Sequence, residues 1–312
     1  MSKDDVGRTA QGDLGLSMDT LAPTTARILR FSSEIADRPT ERPDFLHAGL
    51  CQVGLPRSQV KALTFERSSG KVSLLLEAGK LWDGKTGEWV QQPLPYGTRP
   101  RLALVHVSTE AVRTRNPVVE VGRSAREFLI KLGIDTGGKE YRSFSAQMRA
   151  LAACHMSLGY GTDTLSAKPI KRFSTWLNQS ETAPSLMPGV IELTPEFYES
   201  LTQFAVPLDP RALGALKHSA LALDVYAWLA HRLHRVKGPA GSFLSWENLR
   251  QQFGQEYGEI KDFKREMTKV LRLVHAVYPD ARIEKVNGGM KLLQSPSPVP
   301  KTSVVVQKLV GS

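Results

Sequence analysis

Cysteine is nearly absent. The 312 residues hold two, Cys51 and Cys154, far apart and in no C-x-x-C arrangement. That argues against a disulfide framework and a cysteine zinc site, and it suits a reducing, cytoplasmic setting. No run approaches the roughly 18 apolar residues of a membrane helix. The opening MSKDDVGRTAQGDLGLSMD has acidic residues and no apolar core, so it does not read as a secretory signal. The seven histidines show no metal spacing. His231 and His234 lie three apart with no acidic partner, and no His-apolar-His cluster accompanies a tyrosine. Tyr141 and Tyr160 therefore read as packing or backbone-contact residues, not nucleophiles. There is no G-x-S-x-G and no carboxylate pair in an acid–base setting. These absences point to a protein without catalytic chemistry, metal or cofactor.

Negative charge is also in short supply. Lys and Arg total 41 against 31 Asp and Glu, a net charge of +10. Such an excess favours a polyanionic partner, nucleic acid ahead of an acidic membrane surface. One apparent nucleotide motif is set aside. Gly79-Lys-Leu-Trp-Asp-Gly84-Lys85-Thr86 satisfies G-x-x-x-x-G-K-[ST], but a phosphate loop must open a helix. Gly87, Trp89, Pro93 and Pro95 follow instead, and Leu81 and Trp82 are bulky where backbone would wrap a phosphate. A hairpin over 71–92, turning at Asp83–Gly87, is expected; a P-loop NTPase is the lesser alternative.

What the chain does have is a pattern used twice. In Arg142–His155, a helix puts Phe144, Met148, Leu151, Ala152 and His155 on one face. Arg142, Ala146, Arg149 and Ala153 lie opposite, flanked by Ser143 and Ala150. Arginines among alanines let a helix backbone approach a phosphate-lined groove. In Lys261–Val277, Phe263, Met267, Val270, Leu271 and Val274 share a face opposite Lys261, Arg265, Thr268 and Arg272. The Phe-x-x-x-Met spacing is common to both.

Around each helix the order of elements is similar. The first has a helix over 96–114, a Pro117-Val-Val-Glu-Val strand and a helix capped by Ser124 and ended by Gly133. Strand-like runs follow at His155–Tyr160 and Leu165–Trp176. The second has a long helix over 220–236, a strand at Ser242, a helix capped by Ser245, and a hairpin turning at Asn287-Gly288-Gly289. Helix, strand, helix, turn, helix, hairpin is the order of a winged helix. The expected class is α+β with two tandem winged-helix domains, at 45–180 and 189–295. Residues 1–44 are expected as a flexible tail with a short helix near Thr24–Ile35. Residues 178–188 (NQSETAPSLMP) are expected as the link between domains, and 296–312 as a second tail.

The run PLPYGTRPRLALVHVSTEAVRTRNPVVEVGRSAREFLIKLGI, then FSAQMRALAACHMSLGYG, resembles the plasmid RepA-type replication initiators. The resemblance covers about Pro93–Trp176 directly and is carried by domain order beyond Glu192. It implies two winged helices binding iterons, the repeated sites of a plasmid origin. It also implies opening of the adjacent duplex with the host initiator and helicase. On this reading Arg142, Ser143, Gln147 and Arg149 meet DNA from the first domain. Lys261, Lys264, Arg265, Thr268, Lys269 and Arg272 do so from the second, with Lys285 and Lys291 touching phosphate from its wing. The two helices are expected to read successive major grooves of one site. Homodimerisation is a further expectation. Gln11, Leu14 and Leu16 resemble the short motif by which bacterial proteins dock on the sliding clamp. A transcriptional regulator on the same fold is the alternative.

Overall fold

The computed structural model describes residues 23–84, 86–161, 163–167, 169–174 and 189–300. Seven elements come before the repeated units. They are α1 (Pro23–Asp37), β1 (Asp44–His47), α2 (Ala48–Gln52), β2 (Thr64–Ser69), β3 (Val72–Glu77), β4 (Lys80–Asp83) and β5 (Glu88–Gln91). The first head contains α3 (Thr98–Thr114), β6 (Val118–Gly122), α4 (Ala125–Lys131) and α5 (Gly138–Ala153). It continues through β7 (His155–Tyr160), β8 (Asp163–Ala167), β9 (Ile170–Ser174) and β10 (Gly189–Leu193). A connector follows: α6 (Pro195–Phe204), β11 (Ala205–Leu208) and α7 (Pro210–Leu216). The second head is α8 (Ala220–Arg232), β12 (Ser242–Ser245), α9 (Trp246–Phe253), α10 (Ile260–Val277), β13 (Ile283–Val286) and β14 (Gly289–Leu292).

The two heads share one strand topology. Each has an antiparallel three-stranded sheet in which the last strand lies between the first and the second. The orders are β6-β10-β9 and β12-β14-β13. Each sheet follows a helix–strand–helix–helix run, so both are winged helices as expected. The wing of the first head is β9–β10, however, not the hairpin expected over 155–176. β7 and β8 extend the β2–β3 sheet instead, in the order β2-β3-β7-β8. Residue 189, where the second domain was expected to begin, therefore opens a strand of the first head's sheet. Residues 178–188 lie outside the described residues; the strands on either side of them pair with each other.

Two caps were legible: Ser124 accepts from Glu127 N and Ser245 from Asn248 N. Thr194 caps α6 in the same way, accepting from Phe197 N. The expected 71–92 hairpin divides: β3 pairs with β2 and β7, while β4 pairs with β5. A strand, not a helix, follows the G-x-x-x-x-G-K-T run, as expected; Lys85 lies outside the described residues. The ends differ from expectation. α1 is a full helix whose Ile28, Phe31 and Ile35 face inward, and it packs on α7 and α10. Arg27 Nε donates to the Ala215 carbonyl at 3.0 Å. At the other end, Val299 is buried and the Pro296 carbonyl accepts from Tyr278 Oη, so the first residues of the expected tail belong to the core. Apolar spacing over so few residues is too short a signal to distinguish a packed segment from a tail.

Two buried ionic clusters lock the heads together. Arg101 on α3 pairs with Asp224 on α8, Nε to Oδ1 at 2.7 Å and Nη2 to Oδ2 at 2.8 Å. The same guanidinium donates to the carbonyls of Leu55, Pro56 and Gly97. Arg67 on β2 is fully buried. It pairs with Glu256 at 2.6 Å and donates to the Gly54 and Leu55 carbonyls, both at 3.2 Å. Arg57 also pairs with Glu256. Glu256 lies in the α9–α10 turn, so the helix-turn-helix of the second head is tied to the N-terminal sheet.

His47 is wholly buried and neutral. Its Nδ1 accepts from Gly49 N at 3.0 Å, which leaves Nε2–H to donate to Ser200 Oγ at 2.9 Å. Burial lowers its pKa from 6.5 to about 4. The folded chain thus holds this proton less tightly than the unfolded chain. The stabilisation is complete above about pH 6.5 and is lost as pH falls toward about 4. Asp44 acts in the opposite sense, because burial raises its pKa to about 6 against the pull of Arg113. The pH dependence of wild-type stability minus that of His47→Gln isolates the histidine. A loss of roughly 3 kcal/mol between pH 7 and 4 is expected in that difference. A flat difference curve would refute it.

Candidate nucleic-acid interface

α10 buries Phe263, Met267, Val270, Val274 and Val277. The remaining face is cationic. Lys261, Arg265, Lys269 and Arg272 are exposed, and Lys264 and Thr268 half-buried. Lys264, Arg265, Thr268, Lys269 and Arg272 line one shallow depression with Lys285 of β13. Third helix and wing therefore meet at a single basic concavity. Arg265 pairs with Asp262 at 3.0 Å and Lys269 with Glu266 at 2.8 Å, each one turn apart on the helix. Such exposed pairs are worth little and exchange readily for another anion. Lys264 Nζ sits 5.6 Å from the Trp246 ring centroid, and Thr268 Oγ1 donates to the Lys264 carbonyl at 2.7 Å.

The two wing lysines separate. Cross-strand neighbours share a face of a sheet. Lys285 pairs with Met290, beside α10, whereas Lys291 pairs with Glu284 and Phe243 on the other face. Only Lys285 joins the concavity.

On α5, Arg142 and Arg149 are exposed and Ser143 half-buried. Gln147 is not available: its side chain is 5% exposed and its Oε1 accepts from Tyr96 N at 2.7 Å. Of the alanines read as room for a phosphate, Ala146 is exposed but Ala150 and Ala153 are buried. Ala153 is buried, and its carbonyl lies so close to Gly79 that a Cβ there would collide with it. Lys171 and Arg172, absent from the sequence reading, are exposed on β9, the wing strand of the first head. They pair with Glu192 on β10 at 2.7 and 3.3 Å. The basic run KPIKR could have flagged them once β9 was recognised as the wing. Among the described residues no cluster of His, Cys, Asp or Glu could hold a metal, and no helix is long and apolar enough to cross a membrane.

Two solved structures resemble the chain. One is of domains 2 and 3 of RctB, at 13% identity and a TM-score of 0.50, covering 80% of this chain and 99% of that one. The other, RctB residues 155–483, gives 13% identity and a TM-score of 0.49, covering 83% and 99%. The first is a likeness of fold. No curated protein matches. The family model for plasmid encoded RepA protein, RepA_C, matches residues 94–248, which run from α3 through the first wing and the connector to the start of α9. That match places residues 94–248 of the chain in the plasmid RepA family of replication proteins.

Proposed function

We propose that this initiator binds the iterons of its origin as double-stranded DNA, with both heads on one duplex, and promotes opening of the adjacent DNA. The observation that carries the reading is the α10 concavity. Five of its six lining residues, Lys264, Arg265, Lys269, Arg272 and Lys285, are cations set on a helix and wing with the topology that other winged helices lay in a major groove. Arginines there suit guanine edges and lysines suit phosphates. Host initiator and helicase are the partners that family membership suggests for the opening step. Affinity is expected to fall by orders of magnitude between about 50 and 200 mM salt, as for a protein with several phosphate contacts. A salt response close to flat would refute the interface.

The N-terminal tail is proposed to recruit host machinery through Gln11, Leu14 and Leu16, which lie outside the described residues. The cut that tests this stops before Pro23, because α1 belongs to the core. Removing residues 1–22 is expected to leave DNA affinity unchanged and to lower plasmid replication. Equal replication by the truncated chain would sink the recruitment role.

A further inference from the structure

The third helices of the two heads align on their buried positions. Phe144, Met148 and Leu151 match Phe263, Met267 and Val270, all buried. In that register Gln147, Ala150 and Ala153 occupy the places of Glu266, Lys269 and Arg272. On α10 Lys269 and Arg272 are exposed. On α5 the equivalent Ala150 and Ala153 are 0% and 1% exposed. The cover comes from the chain itself. The β4–β5 hairpin stands against the end of α5, its root at Gly79 touching the Ala153 carbonyl. Gln92 N closes that root on the Gly79 carbonyl at 2.9 Å, and Tyr96 N holds Gln147. What stays open on α5 is the side bearing Arg142, Ala146 and Arg149.

A helix with its side chains is about 10–12 Å across and a major groove about 12 Å wide. A bare helix fits; a helix flanked by a two-stranded ribbon does not enter to the same depth. We infer that the β4–β5 hairpin closes the C-terminal half of α5 to DNA and so divides the labour between the heads. The first head holds the DNA backbone through Arg142 and Arg149, and the second reads bases through Arg265 and Arg272, with Lys269 beside them on phosphate. This rests on the DNA-binding reading above and replaces the expectation of two equal readers.

The test uses the full chain and two duplexes of equal length. One is the sequence the chain enriches from a randomised library; the other is its scrambled form. Arg142→Ala with Arg149→Ala is expected to weaken both duplexes alike. It should leave their affinity ratio within about twofold and lower the salt slope by about two, one per phosphate contact. Arg265→Ala with Lys269→Ala and Arg272→Ala is expected to cut the ratio at least tenfold, since one base-reading arginine contributes on the order of a factor of ten or more. If the α5 pair lowers the ratio as much as the α10 triple, or the triple leaves it intact, the division of labour is overturned while DNA binding stands. If neither variant alters binding to either duplex, the DNA-binding reading falls with it.

Discussion

Arg101→Ala is expected to lower folding stability by about 3–5 kcal/mol, the cost of leaving one partner of a buried ion pair alone. Asp224 would be left buried beside α3 without its partner, and the carbonyls of Leu55, Pro56 and Gly97 would each lose a donor. Urea unfolding followed by fluorescence measures this. A loss below about 1 kcal/mol would mean that water or a neighbouring cation replaces the guanidinium, and the locking role would be wrong. Arg101→Met combined with Asp224→Leu is expected to be far milder than either single change, because no buried charge is left unmatched. DNA binding separates the two effects. α3 and α8 are the first helices of their heads, so the double variant, though stable, loses the fixed angle between α5 and α10. Its affinity for a full site should drop more than its stability does.

Phe263→Ala is expected to cost about 3–5 kcal/mol as well, by emptying the seat of α10. The ring is fully buried, edge-on to Trp246 at 6.5 Å and tilted against Tyr257 at 5.8 Å. Phe144→Ala, whose ring meets Phe128 edge-on at 5.4 Å, is expected to behave alike in the first head. Both heads share one continuous apolar core, so each variant should shift a single thermal transition. Two separate transitions in either variant would show that the heads unfold independently and would contradict that continuity.

Much of this was legible because its signals are local. Caps at Ser124 and Ser245 depend on residues three positions apart, and Phe-x-x-x-Met depends on helical pitch alone. What escaped depends on partners distant in sequence. Nothing local says that Gly189–Leu193 returns to lie between β6 and β9, or that β7 joins β3 rather than forming a wing. The candidate site divided in the same way. The cationic face of α10 follows from periodicity and stands open, whereas on α5 the same periodicity leaves Arg142, Ala146 and Arg149 exposed and Ala150 and Ala153 covered. Gln147, Ala150 and Ala153 were misread because a small or polar residue fits a neighbouring backbone as well as it fits a phosphate.

The pairing of β1 with β11 bears on the order in which the chain matures. Asp44–His47 finds its partner only at Ala205–Leu208, and β6 waits for Gly189–Leu193. A nascent chain leaves the ribosome from its N-terminus, so the first head cannot complete its sheet until residue 193 has emerged. The strand beneath α3 stays unpaired until residue 208. Until then the buried faces of β1 and β6 are open edges, available to any other strand. Such long-range closures slow folding, because loop entropy is lost before the contacts that offset it form. Synthesis of this initiator therefore includes an interval in which most of the first head exists but cannot yet close, and chaperones or a neighbouring nascent copy would find it there.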